Sequence, residues 1–98
     1  MEGHSLVSPD VLARYAGDAA SEVAGVAAVV KARGVEITES DGDVQVTVRV
    51  ELSWGRSAGT VGRDVQRRVR EYLERMADVN MGSVDVVIDR VAAPPAKR

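Results

Sequence analysis

The chain reads as α+β, a two-layer sandwich in which both helices cover one face of a mixed sheet. Three patterns predict this. Two segments carry apolar residues at helical spacing, a hairpin signal lies between them, and an alternating segment follows the second helix. The element order is helix, short strand, β-hairpin, helix, strand.

Ser8, Pro9 and Asp10 open the first helix. They supply an N-cap hydroxyl, a proline that needs no N–H in the first turn, and a carboxylate beside the positive helix end. Leu12, Tyr15, Ala16, Ala19 and Val23 follow at i, i+3, i+4, i+7 and i+11, an apolar face that closes near Gly25. The opposite side carries Asp10, Arg14, Asp18 and Glu22.

"GVAAVV" (25–30) is short and β-branched, as a strand would be. "VEIT" from Val35 and "VQVTVRVELSW" (44–54) alternate apolar and polar residues around an Asp41-Gly42 turn, which predicts a hairpin. In the long strand Val44, Val46, Val48, Val50, Leu52 and Trp54 point one way, and Gln45, Thr47, Arg49, Glu51 and Ser53 the other. The sheet therefore has a dry face and a wet face.

The second helix is expected over residues 60–76, with Val61, Val65, Val69, Tyr72, Leu73 and Met76 along one stripe. After a turn at 80–82, "SVDVVIDRV" sets Val84, Val86 and Ile88 against Asp85 and Asp89 as a last strand. A strand–helix–strand sequence favours a parallel crossover beside the long strand. One domain is expected over 7–91, with a disordered N-terminus at 1–6 and a disordered proline-containing tail at 92–98.

The composition narrows function more by exclusion than by assignment. At 98 residues the chain holds one core, and 45% hydrophobic with 29% charged residues is a globular balance. A net charge of −2 gives no global field for nucleic acid or an anionic membrane surface. The absence of cysteine removes disulfides, thiolate nucleophiles and most structural zinc sites. No apolar run approaches the ~20 residues that span a bilayer, and "MEGHSLVS" lacks signal-peptide regions, so a soluble cytoplasmic protein is expected.

"SWGRSAGTVGRDVQRRV" (53–69) invites a phosphate-binding reading, which fails on spacing. Gly55 to Gly59 is one residue short of a Walker loop and no lysine follows; GxxxGxxG also departs from the dinucleotide fingerprint. "GTVG" matches the letters of the GxxG clamp of KH domains, which grips a single-stranded backbone, although there the loop joins two helices. An alternative reading is thus a small RNA-binding module using Gly59, Gly62 and the stripe Arg63, Arg67 and Arg70. Against it, Asp64 with Arg68 and Glu71 with Arg75 sit at i, i+4 as on an ordinary solvated helix, and no aromatics interleave the arginines.

"ESDGD" (39–43) places its glycine among the acids as a hairpin turn does, not as a calcium loop does. His4 has no partner to orient it as a base. No catalytic residue, cofactor or metal site is expected. Trp54 is expected to cap the edge of the core, with a partner surface as its second role.

Taken in order, "VSPDVLARYAGDAASEVAGVAAV", "GDVQVTVRVELSWG" and "VGRDVQRRVREYLERMADVNMGSVDVVI" resemble the bacterial alkaline shock protein family, from about residue 7 to 91. Two departures stand out: "RSAGT" follows Trp54-Gly55, and Gly62 occupies a position where alanine or valine is common. The resemblance implies a non-enzymatic cell-envelope stress response protein, a scaffold or adaptor that self-associates and binds a membrane-anchored protein of the same family. The surface expected to serve is the wet row Gln45, Thr47, Arg49 and Glu51, with Trp54 and Arg56 at its rim.

Overall fold

Ser8 caps the first helix as its position demands. In the computed structural model, which describes residues 7–94, its hydroxyl accepts the Val11 N–H at 3.3 Å, and α1 runs Pro9–Ser21. The helix buries Leu12, Ala16, Ala19 and Ala20, while Tyr15 is half-buried. Small residues on this face let α1 lie close to the sheet.

Beyond α1 the chain turns at Gly25, whose φ is +98°. A Cβ there would lie 2.5 Å from Val61 Cγ2, so both the conformation and the close approach require glycine. Strand β1 follows at Val26–Val29, β2 at Val35–Ser40 and β3 at Asp43–Leu52. Asp41 and Gly42 both have positive φ, 55° and 84°, as two-residue hairpin turns matched to strand twist require.

β3 is the central strand. It pairs antiparallel with β1 and β2 and parallel with β4, Met81–Val91, so the sheet is mixed. β4 flanks β3 from Val44 to Leu52, which leaves β1 and β2 end to end along the opposite edge. Between them residues 31–33 loop out opposite Arg49, whose N–H donates to the Gly34 carbonyl at 2.7 Å and whose carbonyl accepts the Val30 N–H at 2.9 Å.

Val44, Val46, Val48, Val50 and Leu52 of β3 and Val84 of β4 are buried on the dry face. Helix α2, Ala58–Ala77, lies over β4 and α1 over β1, β2 and β3, and the two helices touch each other. Val61, Val65, Val69, Leu73 and Ala77 recur at i, i+4, i+8, i+12 and i+16 as the buried stripe of α2. The two-layer arrangement expected from the sequence is the one observed.

Several boundaries differ from expectation. β3 stops at Leu52: the Ser53 N–H still donates to the Gly25 carbonyl at 2.8 Å, in register with the Val26–Leu52 pair, but the Arg56 N–H closes a turn onto the Ser53 carbonyl at 3.2 Å, with Gly55 at φ 83°. Trp54 rides on that turn, outside the strand and 59% exposed, so it does not cap the core. α2 begins two residues before the expected 60, because the Ser57 hydroxyl accepts the Thr60 N–H at 3.2 Å and caps it there. Met76 faces solvent and Ala77 takes the core position, as the i+4 run from Leu73 requires. Met81 and Gly82, expected in a turn, belong to β4.

Ala92 still donates to the Leu52 carbonyl at 2.7 Å, and residues 93–94 have no regular structure. Residues 1–6, His4 among them, and 95–98 lie outside the described residues, and so do most of the expectations about the two ends.

Candidate interaction surface

The wet face can be laid out row by row from the strand register. Thr38 stands beside Gln45; Glu36, Thr47 and Asp85 form the next row; then come Arg49 with Val87, and Ala28, Glu51 and Arg90. Both helices lie on the other side, so no element among the described residues covers this face. Acids and arginines alternate on it around one large exposed apolar residue, Val87.

The predicted row Gln45, Thr47, Arg49 and Glu51 is thus brought together, but Arg49 has a second task. Its Nη1 donates to the Arg33 carbonyl at 3.1 Å and lies 3.6 Å from Glu36 Oε1. The guanidinium therefore holds down the 31–33 break, where Arg33 sits in the left-handed region at φ 61°. No sequence pattern marked this role, because it depends on a break whose register pairing alone reveals.

Trp54 and Arg56 sit on the turn at the end of β3, off the wet row. Arg56 folds back beside Gly25, where a Cβ would be 3.5 Å from its guanidinium carbon. Trp54 belongs to the rim two residues beyond the Leu52–Val91 pair.

The alternative set is arranged differently from a nucleic-acid clamp. Gly59 and Gly62 lie inside α2, not in a loop, and the Val61 N–H between them is already bonded to the Ser57 carbonyl at 3.0 Å. Arg63, Arg67 and Arg70, with Gln66 and Val84, line an open groove of about 450 Å³ between α2 and β4. Arg67 pairs with Asp64 at 3.2 Å, whereas Arg68, expected to pair with Asp64, reaches across to Glu22 on α1 at 2.7 Å.

Arg70 Nη2 donates to the Gly82 carbonyl at 2.9 Å and Gln66 Nε2 to the Val84 carbonyl at 3.0 Å. These two contacts tie α2 to the backbone of β4. Sequence reasoning assigned Arg70 to a solvated stripe and gave Gln66 no role. At the hairpin tip Glu39, Asp41 and Asp43 are exposed, and among the described residues no three histidine, aspartate or glutamate side chains are placed to hold a metal ion.

Fold and surface together define a small α+β domain with one layer of helices on a mixed sheet and one bare polar face. The chain belongs to the alkaline shock protein 23 family, described as having a cell envelope-related function, whose model matches residues 29–93. That match covers β2, β3, α2 and β4, begins at the last residue of β1, and leaves α1 outside it.

Spy1535, an uncharacterised protein of Streptococcus pyogenes serotype M6, is 28% identical over 104 residues, covering 93% of this chain and 81% of that protein. Among solved structures, a histidine-to-alanine variant of the MamM CTD superposes with a TM-score of 0.60 at 12% identity, over 85% of this chain and 98% of that one. A manganese form of the MamM CTD gives 0.57 at 14% identity, over 83% and 96%. At such identities the likeness establishes the fold alone. No helix among the described residues is long and apolar enough to cross a membrane.

Proposed function

We propose that this chain is a non-enzymatic protein of cell-envelope stress response and homeostasis, a self-associating scaffold or adaptor for a membrane-anchored partner of the same family. The observation that carries the reading is the uncovered wet face. A sheet whose helices all lie on one side presents its other side to a partner, and here that side mixes both charges with Val87 and is rimmed by an exposed tryptophan. Tryptophan and arginine are the residue types enriched at protein interfaces, and Trp54, Arg49 and Arg90 supply them on and beside this face. Family membership supplies the envelope context.

The test is affinity capture of the tagged protein from detergent-solubilised native cells, with Thr47→Arg and Trp54→Ala alongside the natural chain. Thr47 lies between Glu36 and Asp85 in register, so an arginine there is accommodated while the surface charge changes. The expected result is recovery of a transmembrane protein bearing a domain of this family, diminished by one or both substitutions with the circular dichroism unchanged. Recovery of nuclease-sensitive RNA without a membrane protein, or capture indifferent to both substitutions, overturns the reading.

A further inference from the structure

The sheet has two outer edges, and they are unlike. Along one, β1 and β2 are separated by the looped-out residues 31–33, with Lys31 at the break and Arg33 in a left-handed conformation. A broken edge bearing a lysine is a poor template for another strand. Along the other, β4 runs through eleven residues and pairs only with β3 among the described residues.

The first part of the β4 edge is closed by α2. Arg70 and Gln66 occupy the carbonyls of Gly82 and Val84. Because N–H and C=O groups of alternate strand residues face the same edge, the outward Val84 carbonyl puts the backbone groups of Val86 and Ile88 on that edge too. No side-chain hydrogen bond from α2 reaches these two.

The open part also gathers apolar surface. Of the four exposed large hydrophobic residues among those described, Val87 and Val91 lie on this stretch, and Trp54 stands just past the Leu52–Val91 pair. Charge then selects the occupant and its direction. Asp85 pairs with Thr47 and Arg90 with Glu51, so the bulge at Asp89 turns Arg90 onto the same wet face as Asp85. Antiparallel approach of an identical strand brings Asp85 of one copy toward the Arg90 end of the other, at both ends of the contact. Parallel approach sets like against like.

We infer that the open edge of β4, from Asp85 to Val91, is the dimerisation edge of this protein, where a second copy of the chain pairs antiparallel and joins two sheets into one. The inference rests on the self-association proposed above and specifies its surface. The wet faces of the two copies then form one continuous face across the junction.

The chain has no cysteine, so a single introduced thiol gives an unambiguous report. Val87 lies near the midpoint of the contact, and Val87→Cys is expected to yield disulfide-linked dimers under mild oxidation, whereas Thr38→Cys on β2 is not. By analytical ultracentrifugation of the full chain, Arg90→Asp is expected to raise the dimer dissociation constant about tenfold or more, and Asp85→Arg combined with Arg90→Asp to restore it. Self-association that persists through Arg90→Asp, or cross-linking at Thr38→Cys and not at Val87→Cys, overturns the edge assignment and leaves the scaffold reading standing. A chain that stays monomeric at all concentrations overturns the inference and the self-association in the proposed function together.

Discussion

Tyr15 of α1 meets Tyr72 of α2 edge to face, with ring centroids 5.8 Å apart and planes at 88°. The two half-buried rings join the helices above the sheet, and such pairs contribute about 0.5–1.5 kcal/mol beyond the area they bury. A double-mutant cycle of Tyr15→Leu and Tyr72→Leu, read by urea unfolding, should return a coupling energy in that range. A coupling of zero would leave area burial as the whole of their contribution.

Gly25→Ala should destabilise more than Gly42→Ala. Both positions have positive φ, which costs a residue with a Cβ about 1–2 kcal/mol. At Gly25 the new methyl also meets Val61, whereas at Gly42 nothing lies within 4 Å. Urea midpoints of the two variants decide the matter; equal shifts would mean that Val61 moves aside freely.

Leu73→Ala is expected to cost about 2–5 kcal/mol, since Leu73 is fully buried. Met76→Ala, one turn on and half exposed, should fall within about 0.5 kcal/mol of the natural chain. A large loss at Met76 would place it on the core face after all.

Gly62→Ala tests whether the "GTVG" segment is helix or loop. Gly62 lies in α2 with open space where a Cβ would go, so alanine should raise stability by about 0.5–1 kcal/mol. A drop in the thermal midpoint would show a backbone demand that a regular helix does not make.

Arg49→Ala should loosen the 31–33 break without unfolding the sheet. The side chain is about two-thirds buried against Glu36 and the Arg33 carbonyl, and losing a contact worth about 1 kcal/mol opens the segment roughly fivefold more often. Limited trypsin digestion, followed at Lys31 and Arg33, should speed up accordingly. An unchanged cleavage rate would show that the backbone bonds at Gly34 and Val30 hold the break by themselves.

Most of the fold was legible in the sequence. The Ser8-Pro9 start, the Asp41-Gly42 turn and the valine row of β3 are local signals, each set by one residue type at one position. Trp54 was misplaced because alternation extended two residues past Leu52, whereas the Ser53–Arg56 turn, with Gly55 at positive φ, takes the chain out of the ladder there. The wet row was legible through parity. The ties of Arg49, Gln66 and Arg70 to distant backbone carbonyls were not, since nothing in residue spacing says which carbonyls a strand leaves unpaired.

The central strand has two neighbours before it in the chain, β1 and β2 along one edge, and one after it, β4, separated from it by the whole of α2. As the polypeptide is made, the hairpin side of β3 can zip once residue 52 has emerged, but its other side stays bare until residue 91 is out. For the time needed to add that stretch, every nascent molecule presents a row of buried-type valines and an unsatisfied strand edge to its surroundings. Damage to β4 should therefore appear first as lost yield during synthesis, before any weakening of the finished protein can be measured.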